Sequence, residues 1–165
     1  MLIGKNNSVV PLHCCLKNTQ TAMTEDLKRE IKNYLSREKN IIFSLIFGSQ
    51  VAGKANQLSD IDIGIYSKTE MELLEMGRII FDLEKMIGKK IDLVVLNDIF
   101  KKDPALAFEI ISNSEILFVK DQNELVRFKR LVYLYFMDTE PLRKQISKNM
   151  HKRIDEMKFG MFNYA

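Results

Sequence analysis

The chain has 165 residues, 46% of them hydrophobic and 28% charged, with 7 glycines and 3 prolines, a composition that excludes collagenous, mucin-like and disordered classes. A chain of this length buries about 70% of its unfolded surface and needs neither disulfides nor a structural metal to hold a core. Lys and Arg number 25 against 22 Asp and Glu, leaving a net charge of +3, too little to drive direct nucleic-acid binding by bulk electrostatics.

Residues 1–22 precede the first strong helical pattern and read either as an accessory N-terminal arm or as an upstream start added to a domain beginning near Met23. Lys5, Asn6, Asn7 and Ser8 stand where a secretory signal would need its apolar centre. Cys14 and Cys15 are adjacent, a spacing that suits neither an ordinary disulfide nor a CxxC pair and fits a reducing, cytoplasmic compartment. With His13 they form three consecutive residues, which do not readily converge on one ion. No apolar run approaches the roughly 18 residues of a membrane span.

Thr24, followed by Glu25 and Asp26, caps a helix that Leu27, Ile31, Tyr34 and Leu35 continue to about Glu38. The apolar, β-branched run 41–47 (IIFSLIF) predicts a buried strand ending at Gly48-Ser49. Residues 60–66 alternate, with Asp60, Asp62 and Gly64 on one face and Ile61, Ile63 and Ile65 on the other, a second strand with an acidic face. Only a dozen residues separate the two, so antiparallel pairing is expected. Ser67 with Glu70 reads as a capping box for a helix whose stripe is Leu73, Met76, Ile80, Leu83 and Ile87, ended by Gly88. Residues 90–96 (KIDLVVL) form a third strand. Asp103-Pro104 opens a helix to Ser112, 115–119 is a fourth strand, and Asp121 with Glu124 caps a long helical segment. That segment breaks between Asp138 and Pro141 and resumes toward Lys158. The result is an α/β (α+β) chain: a mixed sheet flanked by helices over residues 23–120, with a C-terminal helical extension over 121–165.

Asp60 and Asp62 project from one face of an otherwise apolar strand. Two like charges so placed raise one another's pKa and lose solvation, unless the face is open to solvent or a cation joins them. Their i, i+2 spacing lets two oxygens meet one hard ion such as Mg²⁺. Asp92 interrupts the third strand in the same way, and if the strands are neighbours the three acids converge. Gly48-Ser49, directly after a buried strand, is placed to offer backbone N–H groups and a hydroxyl to an anion, with Gly53 leaving room nearby.

Phe47-Gly48-Ser49, then ten residues, then Asp60-Ile61-Asp62 resembles the GS-x10-DxD signature of the DNA polymerase β-like nucleotidyltransferases. In its short length the chain resembles the minimal nucleotidyltransferases, in particular the MNT antitoxins encoded beside HEPN-domain ribonuclease toxins. The resemblance implies a mixed-sheet nucleotidyltransferase fold and transfer of AMP from ATP to a tyrosine hydroxyl on the toxin partner. It implies that Gly48 and Ser49 hold the triphosphate, that Asp60 and Asp62 bind two Mg²⁺ ions, and that Asp92 ligates the catalytic metal and helps to deprotonate the acceptor. Many relatives carry Arg or Lys immediately before the glycine that is Gly53 here; this chain has Ala52, and Lys54 is the substitute cation. Two alternatives stay open: a small-molecule acceptor such as an aminoglycoside, and a catalytically silent toxin-binding protein.

Of the remaining features, Arg143, Lys144, Lys148, Lys152 and Arg153 read first as a solvated basic helix face and second as a stripe able to meet RNA or an acidic partner surface, and His151 reads as a surface histidine. Phe128, Tyr133, Tyr135 and Phe136 suit either packing onto the sheet or a partner platform.

Overall fold

The computed structural model describes residues 25–51 and 59–157; the arm, Gly53 and Lys54 lie outside that range. In chain order the elements are α1 (Glu25–Arg37), β1 (Ile41–Phe47), a 3₁₀ turn (Gly48–Gln50), β2 (Ile61–Ser67), α2 (Leu73–Ile87), β3 (Ile91–Val95), α3 (Ile99–Lys102), α4 (Pro104–Ser112), β4 (Glu115–Val119), α5 (Gln122–Asp138) and α6 (Glu140–Asp155).

The four strands lie in the order β3-β2-β1-β4. β1 is antiparallel to both β2 and β4, while β2 and β3 run parallel, joined through α2. The sheet is therefore mixed, as expected from the element order. Its central position explains why β1 is apolar along its whole length: helices cover both of its faces.

One face packs Ile61, Ile63 and Ile65 of β2 and Ile91 and Leu93 of β3 against Ile31 and Leu35 of α1 and Ile79 and Leu83 of α2. On the other, Phe43 and Leu45 of β1 meet Phe100, Ala107, Ile110, Leu125, Phe128 and Val132 of α3, α4 and α5. The Tyr66 ring stacks on Phe43 with centroids 4.7 Å apart, and Phe128 tilts against both. Alternation along β2 thus sorts isoleucines to the α1/α2 face, and Asp62, Gly64 and Tyr66 to the α3–α5 face.

Several sequence expectations need correction. Ser67 does not cap α2: it is the last residue of β2, and the Asn97 amide ties it to the end of β3, accepting from the Ser67 N–H and hydroxyl at 3.0 Å and donating to its carbonyl at 2.7 Å. α2 starts six residues later, with no side-chain cap. Leu73 is 82% exposed, and Ile79 takes the core position instead. The single turn α3 was not anticipated. Gly88 ends α2 in the left-handed conformation as expected, its N–H donating to the Glu84 carbonyl. Asp103 and Asp121 cap α4 and α5, and the break at Thr139 separates α5 from α6.

Candidate active site

The acids predicted on β2 and β3 are brought together by strand pairing. In the parallel register Ile61 faces Ile91 and Asp62 faces Asp92. Neighbouring strands lie about 4.8 Å apart, so the two carboxylates leave adjacent backbones on the same face. Toward the other end of β2, Gly64 is covered by Leu96 and Tyr66 by Phe128. At Asp62 and Asp92 that cover stops: Asp62 is half-buried and Asp92 exposed.

Across the sheet, Phe47 at the end of β1 pairs with Asp62, and the chain then turns at Gly48. Two independent constraints make that residue glycine. Its φ is +74°, and a Cβ there would lie 2.0 Å from Asp62 Oδ2. The Asp62 carboxylate therefore occupies the space that a side chain at 48 would fill, and the GS turn and the acidic strand are in van der Waals contact. Ser49 follows inside the 3₁₀ turn. Lys54, the remaining expected triphosphate contact, lies outside the described residues.

Burial above all, and then the charges of Asp92 and Asp60, push the Asp62 carboxyl above the ordinary carboxylate range. Asp60 stands just before β2, where Lys90 Nζ reaches its Oδ2 at 3.2 Å. Sequence reasoning missed Lys90. The signal was present, because pairing Ile61 with Ile91 sets residue 60 beside residue 90, but it needed the parallel register to be read.

The donor set fits a hard dication. It consists of carboxylates alone, and the repulsion that raises Asp62 is what a cation would relieve. Among the described residues no group of three acidic, histidine or cysteine side chains is placed to hold a metal ion; strand pairing sets Asp62 beside Asp92, while Asp60 reaches Lys90. Such an arrangement suits an ion whose shell is completed by water and phosphate oxygens. His151 lies on α6, bonded to Ser147, away from these acids in the fold.

The family model for the polymerase beta nucleotidyltransferase domain matches residues 29–123. A candidate protein adenylyltransferase of Methanocaldococcus jannaschii is 31% identical over 74 residues, covering 45% of this chain and 78% of the relative. A solved structure from Shewanella oneidensis shares the fold at TM-score 0.60 and 16% identity, over 78% of this chain and 98% of that one. A chain from the complex of a tri-AMPylated S. oneidensis HEPN toxin with its MNT antitoxin aligns at TM-score 0.55 and 15% identity, over 74% and 98%. A chain from a toxin–antitoxin crystal structure with AMP-PNP aligns at 0.53 and 17%, over 80% and 98%.

Proposed function

Because the chain belongs to the polymerase β nucleotidyltransferase family, we propose that it is a protein adenylyltransferase serving as an antitoxin: it moves AMP from ATP to a tyrosine hydroxyl of a HEPN-domain RNase toxin and so neutralises it, with Mg²⁺ as the metal. The observation that carries this reading is the Asp62 carboxylate lying against the Gly48 turn, beside Asp92 on the next strand. That contact supports reading the turn as the phosphate holder and the neighbouring carboxylates as the metal site of one triphosphate. The adenylyltransferase relative supports AMP as the transferred group. The fold shared with toxin–antitoxin complexes, one holding a tri-AMPylated toxin and another AMP-PNP, supports the acceptor and the donor.

In this reading Gly48 and Ser49 cradle the triphosphate, and Lys54 adds positive charge. Asp60, Asp62 and Asp92 hold two Mg²⁺ ions, which when bound screen the phosphate charges and polarise the α-phosphate. The acceptor oxygen forms a bond to the α-phosphorus as the α–β phosphoanhydride breaks, and pyrophosphate leaves. Asp92, exposed beside Asp62, takes the hydroxyl proton in this reading. Positioning supplies most of the rate. A separate protein as acceptor is supported by the fold shared with a chain of the complex that holds a tri-AMPylated toxin. No helix among those residues is long and apolar enough to cross a membrane, which agrees with a cytoplasmic partner.

The test is intact mass of the purified toxin after incubation with this protein, ATP and Mg²⁺. One or more AMP additions are expected, and none with Asp60→Ala/Asp62→Ala. Unchanged transfer by that variant would refute the site; a toxin that is inhibited but unmodified would refute the transfer.

A further inference from the structure

At the end of the sheet away from the acids, β2, β3 and β4 run in one direction and present their carboxyl ends together. Open α/β sheets take ligands outside the carboxyl ends of their strands. A recess of about 540 Å³ lies there, within the size range of small-molecule sites. Tyr66 on its wall stands four residues along β2 from Asp62, about 13 Å, and Leu96 over Gly64 and Phe128 against Tyr66 fill the face between. The recess is therefore separate from the proposed triphosphate site.

Its walls carry Lys39, Lys68, Lys120 and Arg127 against two carboxylates, Asp121 and Glu124. Both carboxylates are committed elsewhere. Asp121 accepts from the N–H groups of Asn123 and Glu124 as the cap of α5. Glu124 meets Arg127 at 3.5 Å with one oxygen and the Tyr66 hydroxyl at 3.4 Å with the other. The three ammoniums meet no carboxylate: Lys120 Nζ donates to the Glu38 carbonyl at 2.6 Å, and the Lys39 and Lys68 side chains make no ion pair or hydrogen bond among the described residues. A second basic recess, between α1 and β4, differs in this respect. There Lys28 is held by Glu25 and Glu115, and Arg29 by Asp26, so the charge is largely matched from within the fold.

The surplus of positive charge selects an anion, and the origin of the cations selects its shape. Lys39, Lys68 and Lys120 leave three different segments, after α1, β2 and β4. A carboxylate offers two oxygens in one plane, whereas a phosphate monoester offers three outer oxygens about a tetrahedral centre and close to two negative charges. Lysine binds such a group as a point charge from any direction. The recess is also much larger than a bare phosphate, and Ile41, Ile42 and Tyr66 line the remainder, a surface for carbon rather than for more charge. We propose that this recess is a second ligand site, which takes an organic phosphate monoester with its phosphate among Lys39, Lys68 and Lys120 and its organic part on Ile41, Ile42 and Tyr66. The site stands independently of the transfer reaction proposed above.

The experiment titrates the full chain, with its isoleucine methyls labelled for NMR, with AMP as the probe monoester. EDTA is present, to withhold the metal from the catalytic acids. The Ile41 and Ile42 methyls are expected to shift saturably while those of Ile61 and Ile63 hold, and Asp60→Ala/Asp62→Ala should behave as wild type. Lys39→Gln/Lys68→Gln disturbs no contact of the fold and should weaken binding on the order of 30-fold, as two exposed charge pairs are lost. The absence of a saturable shift, or an affinity unchanged in Lys39→Gln/Lys68→Gln, would overturn the site. Adenosine or succinate binding as tightly as AMP would overturn the assignment of a phosphate, and inorganic phosphate binding as tightly would overturn that of an organic ester. Shifts that appear at Ile61 and Ile63 and vanish in Asp60→Ala/Asp62→Ala would place the ligand at the catalytic acids and refute a second site.

Discussion

Gly48 and Gly88 share nearly the same backbone angle, φ +74° and +70°, but only Gly48 has a neighbour where a Cβ would stand. Substituting alanine at each therefore separates two effects that usually come together. At Gly88 nothing lies within 4 Å of the added Cβ, so Gly88→Ala carries only the left-handed strain of an L-residue, about 1–2 kcal/mol. At Gly48 the same strain applies, and the Cβ also arrives 2.0 Å from Asp62 Oδ2 where real contacts keep at least 3.0 Å, so the carboxylate must retreat by about an ångström.

Asp62 sits at the end of a central strand whose neighbours on both sides are fixed by pairing to Phe47 and Asp92. Its retreat is thus a side-chain rotation away from the turn, not a shift of the strand. A displacement of that size in a reacting constellation lowers the rate about 100-fold. Urea unfolding should give similar losses of about 1–2 kcal/mol for the two variants, because the half-buried carboxylate can rotate toward solvent. AMP transfer should be near wild type in Gly88→Ala and lower by about two orders of magnitude in Gly48→Ala. If Gly48→Ala transfers AMP as well as Gly88→Ala does, the contact between the GS turn and Asp62 has no part in catalysis, and the site drawn here is wrong.

Three further outcomes follow from the same geometry. Lys90 competes with a dication for Asp60, but its ion pair is largely exposed and worth at most about 1 kcal/mol; Lys90→Gln should lower the Mg²⁺ concentration for half-maximal transfer by up to about fivefold, and an increased Mg²⁺ requirement would make Lys90 a substrate contact instead. The Asp62 carboxyl is held above its ordinary range by burial and by Asp92 and Asp60, so its contribution to stability is complete below the unfolded pKa and is lost as pH rises through the folded one; in EDTA, Asp62→Asn should resist urea better than wild type at pH 7, with the gap closing toward about pH 4, whereas a gap independent of pH would assign the gain to something other than ionisation. Ser44 is fully buried and its Oγ has no hydrogen-bond partner, so Ser44→Ala should stabilise the fold by about 1 kcal/mol and raise Tm by about 3 °C; a lower Tm by calorimetry would mean that the hydroxyl is satisfied.

The sheet and the acidic face were legible because period and composition agree locally. The run 41–47 can only be buried, and the alternation over 60–66 sorts three isoleucines from Asp62 and Gly64. What the sequence concealed lay in contacts between segments distant in the chain. Ser67-x-x-Glu70 carries a capping pattern, but the Asn97 amide, thirty residues on, claims the serine first. Leu73 falls on the helical stripe by spacing, yet the stripe begins to bury only from Met76, because the chain has to leave β2 and turn before α2 reaches the sheet. Lys90 beside Asp60 follows from the parallel register and from nothing local. In α6 the basic residues stand out in the sequence, and the four-residue spacing of Leu142, Ile146, Met150 and Ile154 stands out only once their exposure is known.

That uncovered stripe and the uncovered acids have one cause. α3, α4 and α5 use their apolar faces on Phe43, Leu45, Leu96 and one another, and they seal the α3–α5 face of the sheet only as far as Gly64. Among the described residues α6 follows with no residue buried, and it presents Leu142, Ile146, Met150 and Ile154 to the outside. An enzyme acting on a small acceptor would use such a helix to wall its pocket, since enclosure both orients a small substrate and excludes water. A protein acceptor brings its own wall, and requires a separate surface to grip. Among the described residues the exposed large apolar side chains are dense along α5 and α6, which suits a macromolecular acceptor better than a small one, independently of any likeness to toxin–antitoxin complexes.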